Sequence, residues 1–202
     1  MKIRIEKNKI SGAMSILTAV IAVVLHFTAE VPWWAVVLFL AVEAPILHIR
    51  FELRKDLPWV WAVLGILVGA VLSVYSVQYL ILEPENFIKT TNTKLLLNAM
   101  CIAAFYLLML FISNSVRVAC MISHTFFLAF AFIDYFVWQF RQNEFTIGDI
   151  LGAGTGLSVA SKYRFHLNER AGFVLLVGIL YLSLMYQVKV RFQVRWQELF
   201  SR

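Results

Sequence analysis

The sequence predicts an all-α, polytopic integral membrane protein with about six transmembrane helices and a short interfacial or re-entrant helix on the outer side. Its 202 residues are 61% hydrophobic and only 15% charged, with a mean hydropathy of +0.77. Soluble domains average about one half apolar and about one quarter charged residues, and a chain of this length could not bury so much apolar surface. The spacing of its apolar segments and the placement of its basic and tryptophan residues favour the same fold class.

Six apolar segments are long enough to cross about 30 Å of hydrocarbon, if tilt and short ends are allowed for. The first follows a basic N-terminus and is followed at once by another apolar run, which favours a retained span over a cleaved signal peptide. The second is short and contains Glu43 and Pro45, so a re-entrant hairpin of the first two segments is the alternative. We therefore expect a membrane domain over 1–188 with spans near 10–29, 32–48, 58–82, 95–113, 117–140 and 171–188.

The basic residues indicate which side of the membrane each connection occupies. If the N-terminus is inside, 12 of the 18 Lys and Arg residues are cytoplasmic: Lys2, Arg4, Lys7, Lys9, Arg50, Arg54, Lys55, Arg117, Lys189, Arg191, Arg195 and Arg202. This positive-inside bias predicts that both termini are cytoplasmic and that the protein lies in the cell membrane as a multi-pass protein. It also explains the net charge of +6 without a nucleic-acid partner.

The six tryptophans all fall at predicted ends of spans, where an amphipathic indole is favoured. They are Trp33, Trp34, Trp59, Trp61, Trp138 and Trp196. After the last span, residues 189–202 combine basic side chains with an apolar helical face. We expect this tail to be a cytoplasmic amphipathic helix on the anionic inner leaflet.

The polar stretch between the last two spans contains "GAGTG" at 152–156, which invites comparison with a phosphate-binding loop. It lacks the lysine and the following hydroxyl of such a loop, and no strand precedes it. Instead, small residues recur every fourth position, and Thr146 with Asp149 resembles a capping box. The pattern predicts an interfacial helix over 146–161 that packs through its small face, which consists of Gly148, Gly152, Gly156 and Ala160.

Ionisable and amide side chains within apolar spans are costly and often functional. The candidates are Glu43, Asn98, His124 and Asp134. A small transporter or channel subunit could use Glu43 and Asp134, whereas the structural alternative is that each is hydrogen-bonded between helices. No nucleophile–base arrangement or metal-ligand spacing is apparent, so we assign no catalytic residue, metal or cofactor to this chain.

One segment near the end of α-helical span five and the polar stretch after it, residues 133–165, also carries a family resemblance. The stretch "IDYFVWQFRQNEFTIGDILGAGTGLSVASKYRF", residues 133–165, resembles the membrane-region signature of lipoteichoic-acid-synthase-like proteins, the phosphoglycerol transferases of the alkaline phosphatase/sulfatase superfamily. In that family an Asn-Tyr-like pair near the end of a span leads through Phe-Arg and a short polar stretch to a Ser/Gly-Asp-Leu-Leu-type turn. A Thr-Ala/Gly-Leu-x-Val-Ala stretch and an aromatic entry to the next span follow. The matching residues are Tyr135, Phe140, Arg141, Asp149, Leu151, Thr155, Leu157, Val159, Ala160 and Tyr163.

Some positions depart from the family pattern. Asn98 and Glu43 match it loosely, Asp134 stands where Asn is expected, and "QNE" at 142–144 replaces a Gly-Thr-Pro-like triplet. The family continues into an extracellular catalytic domain with a threonine nucleophile and a divalent metal, usually manganese. No residue here corresponds to that nucleophile or to its metal ligands.

The resemblance implies a membrane part that anchors such an enzyme and presents an anionic lipid, of the phosphatidylglycerol type, to the catalytic domain. Around the outer loop we expect headgroup contact or loop packing by Arg141, Asp149, Thr155, Tyr163 and Arg164, because arginine matches phosphate geometry. The remaining alternative is a non-catalytic membrane scaffold that holds an envelope enzyme through the small-residue face. A coding frame that continues into a further span and a sulfatase-like domain would favour the transferase, and one that ends at Arg202 would favour the scaffold.

Overall fold

The computed structural model describes residues 2–5, 9–52, 58–81, 92–143, 146, 148 and 166–188. Within them lie six long helices, each of which corresponds to one predicted span. They are α1 (Lys9–Ala29), α2 (Trp33–His48), α3 (Pro58–Ile81), α4 (Asn92–Ser113), α5 (Val116–Arg141) and α6 (Glu169–Gln187). The largest difference in bounds is at the start of α4, which begins at Asn92 rather than at residue 95. The number and the positions of these helices confirm the predicted helical fold.

Five of these helices are long and apolar enough to cross a membrane, and α2 is not. Helix α2 has 16 residues and contains Pro45, so it extends about 24 Å at about 1.5 Å per residue. That is shorter than the hydrocarbon core of a typical bilayer. The structure therefore establishes five candidate spans, and a crossing by α2 stays a prediction.

Successive helices run in alternating directions, as contacts between their ends show. At one end, the start of α5 touches the end of α6 through the hydrogen bond from Arg117 Nη1 to the Tyr186 carbonyl (3.2 Å). At the other end, Arg170 near the start of α6 lies over the ring of Tyr79 near the end of α3 (5.6 Å). We call the first the sheet end, because it also carries two short strands, and the second the loop end, because α5 leads from it into 142–165.

The two strands, β1 (Lys2–Ile5) and β2 (Ile49–Glu52), pair in an antiparallel register. The sequence analysis did not predict these two four-residue strands, which lie beyond the helices of an otherwise helical fold. The pairing joins the segment before α1 to the segment after α2. It therefore agrees with the prediction that both segments lie on the same side of the membrane.

Helix α6 is the central element, since it packs against α1, α2, α3 and α5. Helix α4 lies at the edge of the bundle and packs mainly against α3 and α5. One apolar cluster joins α1, α2 and α6 around Leu25, Val36 and Leu176. The turn between α1 and α2 approaches α6 so closely that a methyl group at Gly172 would collide with Val31. A glycine at this position is what allows that close approach.

Candidate functional site

The loop end contains a hydrogen-bonded junction between α5 and α6, which we call the α5–α6 junction and which consists of Tyr135, Gln139, His166 and Asn168. The Tyr135 hydroxyl donates to the His166 carbonyl (2.9 Å), and Gln139 Nε2 donates to the same carbonyl (2.7 Å). The His166 N–H donates to Gln139 Oε1 (3.3 Å), and the Asn168 N–H donates to the Tyr135 hydroxyl (3.2 Å). Four bonds therefore hold the end of α5 beside the residues that lead into α6.

Both helices are also capped at this junction. Helix α5 is capped by Gln142, whose φ of 57° is left-handed and whose N–H donates to the Trp138 carbonyl (2.8 Å). Helix α6 begins after Asn168, whose side-chain oxygen accepts from the Ala171 N–H (2.9 Å), as a good N-cap residue does. The described residues on either side of this stretch, at the end of α5 and the start of α6, are therefore held at neighbouring points.

Two arginines flank the α5–α6 junction. Arg141 is the last residue of α5 and is exposed. Arg170 is partly buried over the ring of Tyr79, a cation–π geometry that orients its guanidinium. The junction thus places two positive charges at the end of the bundle that we expect to face outward.

A second group of polar side chains lies deep inside the bundle, between α3, α4, α5 and α6. The Ser73 hydroxyl is 3.0 Å from the Tyr106 hydroxyl, and each is 3.3 Å from His124 Nδ1. The Tyr181 hydroxyl donates to the Gly65 carbonyl (2.8 Å). All four side chains are buried, and we call them the tyrosine–histidine cluster.

His124 Nδ1 lies near both hydroxyls, and it donates or accepts according to the tautomer of the ring. The other ring nitrogen, Nε2, is buried and has no hydrogen-bond partner within the described part of the chain. His124 also lines a cavity of about 300 Å³ between α3, α5 and α6, so this nitrogen can contact a molecule bound in the cavity.

Glu43 occupies a different place from the other predicted acid, Asp134. Its side chain is fully buried, and the Ser183 hydroxyl donates to its Oε1 at 3.4 Å. Asp134 is nearly buried on α5 and lines a cleft between α3, α4 and α5, together with Asn98. The structure therefore places Asn98 and Asp134 along one cleft and Glu43 against α6.

Of the predicted loop residues, Arg141, Thr146 and Gly148 lie within the described part of the chain, and all three are exposed. The other predicted loop residues lie outside the described residues, as do the rest of the small-residue face and the tail. They are Asp149, Gly152, Thr155, Gly156, Ala160, Tyr163, Arg164 and residues 189–202. Their predicted roles stay predictions.

Sequence reasoning missed the tyrosine–histidine cluster apart from His124. Tyrosine and serine are common in apolar spans, and nothing in the sequence pairs Ser73 with Tyr106. A signal was nevertheless present, because Gly65 and Gly69 form a Gly-x-x-x-Gly pattern within α3, which is typical of close helix packing. A methyl group at Gly69 would collide with the hydroxyl of Tyr181 and with Tyr106, so this glycine makes room for both tyrosines.

The two cysteines are free; Cys101 is exposed on α4, and Cys120 is buried on α5. Comparison of the chain with protein-family models, with characterised proteins and with solved structures finds no match. The family resemblance of residues 133–165 therefore rests on the motif residues alone.

Proposed function

We propose that the chain is the membrane-embedded part of a lipoteichoic-acid-synthase-like phosphoglycerol transferase. In this role it anchors the enzyme and presents an anionic lipid of the phosphatidylglycerol type to an extracellular catalytic domain outside this chain. The proposal starts from the motif at 133–165, and the backbone conformation of one residue beside the α5–α6 junction supports it.

That backbone conformation is the one at Gln142. In the family pattern a glycine begins the triplet that "QNE" replaces here, and Gln142 has the left-handed φ of 57° that favours glycine after a helix. A glycine, as in the family pattern, would adopt this left-handed backbone conformation without strain, although this chain has a glutamine there. Tyr135, which also belongs to the motif, supports the proposal because it holds both ends of this stretch together.

The two arginines that flank the α5–α6 junction suit an anionic headgroup. Arg141 is exposed at the end of α5, and an arginine offers a planar set of donors that fits phosphate oxygens. Arg170 lies at the same end of the bundle. A lipid phosphate at this level would meet two cations while its acyl chains stay beside the apolar helices.

The proposal requires the loop end to face outward, with both termini in the cytoplasm. A cysteine introduced at Asn143, one of the exposed residues that follow α5, tests this orientation. We expect an impermeant maleimide added to intact cells to label the Asn143→Cys variant. Labelling only after the inner face is opened would reverse the topology and remove the proposed presentation to an extracellular domain.

Lipid binding is tested by native mass spectrometry of the protein in mixed phosphatidylglycerol and phosphatidylcholine. We expect Arg141→Ala to weaken retention of phosphatidylglycerol by roughly fivefold, since one basic residue near an anionic headgroup contributes about 1 kcal/mol. Lys94→Ala is the matched control, because Lys94 is an exposed cation near the start of α4 at the same end. Equal losses in both variants would indicate general attraction to anionic lipid and would contradict a headgroup site at Arg141.

A further inference from the structure

The cleft between α3, α4 and α5 is lined by polar side chains from all three helices. Gln78 comes from α3, Asn98 from α4 and Asp134 from α5, and the walls include Phe127 and Phe130. The cleft has a volume of about 280 Å³, close to the lower limit for small-molecule sites. A single headgroup or ring fits such a volume better than an extended chain.

Gln78 is the residue that points to a missing ligand. Its side chain is more than nine-tenths buried, and its Oε1 has no hydrogen-bond partner among the residues that the structure describes. A buried amide oxygen without a partner costs about 1–3 kcal/mol in proteins. A ligand that donates a hydrogen bond in the cleft would satisfy this oxygen.

The three polar groups together define the chemistry of that ligand. The amides of Gln78 and Asn98 can each donate and accept, whereas the carboxylate of Asp134 accepts only. Asp134 has an interaction of its own, but the two oxygens of a carboxylate can accept about four hydrogen bonds. Hydroxyl groups also both donate and accept, so a molecule with several neighbouring hydroxyls matches all three side chains. An ammonium ion would leave the amide donors unused.

The aromatic walls and the depth of the cleft narrow the class further. The C–H face of a sugar or polyol is apolar and can lie against the rings of Phe127 and Phe130. Gln78, Asn98 and Asp134 lie three, six and seven residues from the loop-end termini of their helices, which is about 5–10 Å along the axes. That depth is where the headgroup region of a leaflet meets its acyl chains.

We propose that this cleft binds an uncharged polyol of about one sugar ring, through hydrogen bonds to Gln78, Asn98 and Asp134. The ligand is either the headgroup of a glycosyl lipid or a free sugar that enters from the loop end. Asn98 is exposed on α4, which leaves a lateral route from the membrane. The inference does not depend on phosphoglycerol transfer, because it uses neither Arg141 nor the α5–α6 junction.

Cys101 provides the readout for a test. It lines the cleft three residues after Asn98 and is exposed, whereas Cys120 is buried. The full chain is placed in nanodiscs of phosphatidylcholine, and alkylation of Cys101 by N-ethylmaleimide is followed with increasing monoglucosyl diacylglycerol. A parallel series uses soluble methyl glucoside, and a third uses phosphatidylglycerol.

We expect glucosyl lipid to slow the alkylation of Cys101. Protection by glucosyl lipid alone identifies a lipid headgroup as the ligand, and protection by methyl glucoside as well identifies the sugar itself. Protection by none of the additives, or equal protection by phosphatidylglycerol and the glucosyl compounds, would overturn the assignment. The headgroup site at Arg141 is tested separately, because Arg141→Ala should leave this protection unchanged.

Two variants connect the protection to the proposed residues. Gln78→Met keeps the length of the side chain and removes the amide, so we expect roughly tenfold weaker protection, equivalent to about 1.4 kcal/mol. Because the buried oxygen has no partner, the same variant should unfold at an equal or higher SDS concentration than the wild type. A strongly destabilised Gln78→Met protein would show that the amide has a structural partner and would overturn the inference. Thr125→Val is the control, since Thr125 is an exposed polar residue elsewhere on α5, and its protection curve should match the wild type.

Discussion

Gly69 is the position at which the packing of the bundle can be tested most directly. A methyl group built at Gly69 would lie 2.6 Å from Tyr106 Cε1 and 2.8 Å from the Tyr106 hydroxyl, and closer still to the Tyr181 hydroxyl. Ordinary van der Waals contact begins at 3.4 Å. The overlaps with Tyr106 are therefore about 0.8 and about 0.6 Å (3.4 − 2.6 and 3.4 − 2.8).

The structure allows the cost of Gly69→Ala to be worked out in two parts. Overpacking a close-packed interior costs about 1–3 kcal/mol. To escape the methyl group, Tyr181 must also move away from the Gly65 carbonyl, which it reaches at 2.8 Å, and loss of that hydrogen bond costs about 1 kcal/mol. We expect Gly69→Ala to lower the free energy of unfolding by about 2–4 kcal/mol.

Two other glycines provide graded controls for the same measurement. A methyl group at Gly12 would meet no atom within 4 Å, so Gly12→Ala should be neutral or stabilising by up to about 1 kcal/mol through helix propensity. At Gly65 it would lie 3.2 Å from Cys120 Sγ and 3.3 Å from Met185 Sδ. The flexible Met185 side chain can move aside, so Gly65→Ala should fall between the other two.

The assay is unfolding by SDS in mixed micelles, followed by circular dichroism. A Gly69→Ala protein that is as stable as Gly12→Ala would refute the packing described for α3. A second test is the double variant with Tyr181→Phe, which removes the hydroxyl that meets the methyl group. We expect the double variant to be more stable than the sum of the two single changes predicts, because the residues are in contact.

The remaining predictions concern the α5–α6 junction and Glu43. Gln142→Gly should raise the free energy of unfolding by about 1 kcal/mol, since glycine adopts the φ of 57° without the cost that an L side chain incurs; no gain in the SDS assay would contradict the left-handed cap. Tyr135→Phe removes one donor and one acceptor and leaves the Asn168 N–H unpaired, so we expect a loss of about 1–3 kcal/mol and faster proteolysis between α5 and α6. An unchanged digestion pattern would show that the junction does not hold the two helices. Glu43→Gln should leave stability equal or higher, because one oxygen of the buried carboxyl has no hydrogen-bond partner within the described residues; a loss of ion flux in proteoliposomes would favour the transporter alternative.

The positions of the six helices could be predicted from the sequence because the bilayer imposes a simple constraint. A spanning segment must satisfy its backbone within a helix and must be apolar over a fixed length, so hydropathy alone locates it. The same constraint does not apply to β1 and β2, which lie beyond the helix ends. Their register, with Arg4 opposite Arg50, is not one that hydropathy predicts.

The polar interior was predicted only in part, for a different physical reason. A sequence shows that Asn98, His124 and Asp134 are unusual within their spans, but not which helices face one another. Tyr106 and Tyr181 meet only because α4 and α6 both pack near α5, and Gly69 on α3 leaves space between them. That information lies in the packing of four helices, which a single sequence does not specify residue by residue.

The hydrogen bonds of the buried polar groups separate structural roles from binding roles. Tyr135 and Tyr181 each have partners at hydrogen-bond distance on another helix or connection, and removing such groups costs stability. Gln78 Oε1 and His124 Nε2 are buried without partners in the described part of the chain, and each residue lines a cavity. Because lipid supplies no hydrogen bonds, an unpaired group that lines a cavity is a candidate to contact a molecule bound there. Substitutions at Gln78 and His124 should therefore change binding before they change stability, whereas those at Tyr135 and Tyr181 should do the reverse.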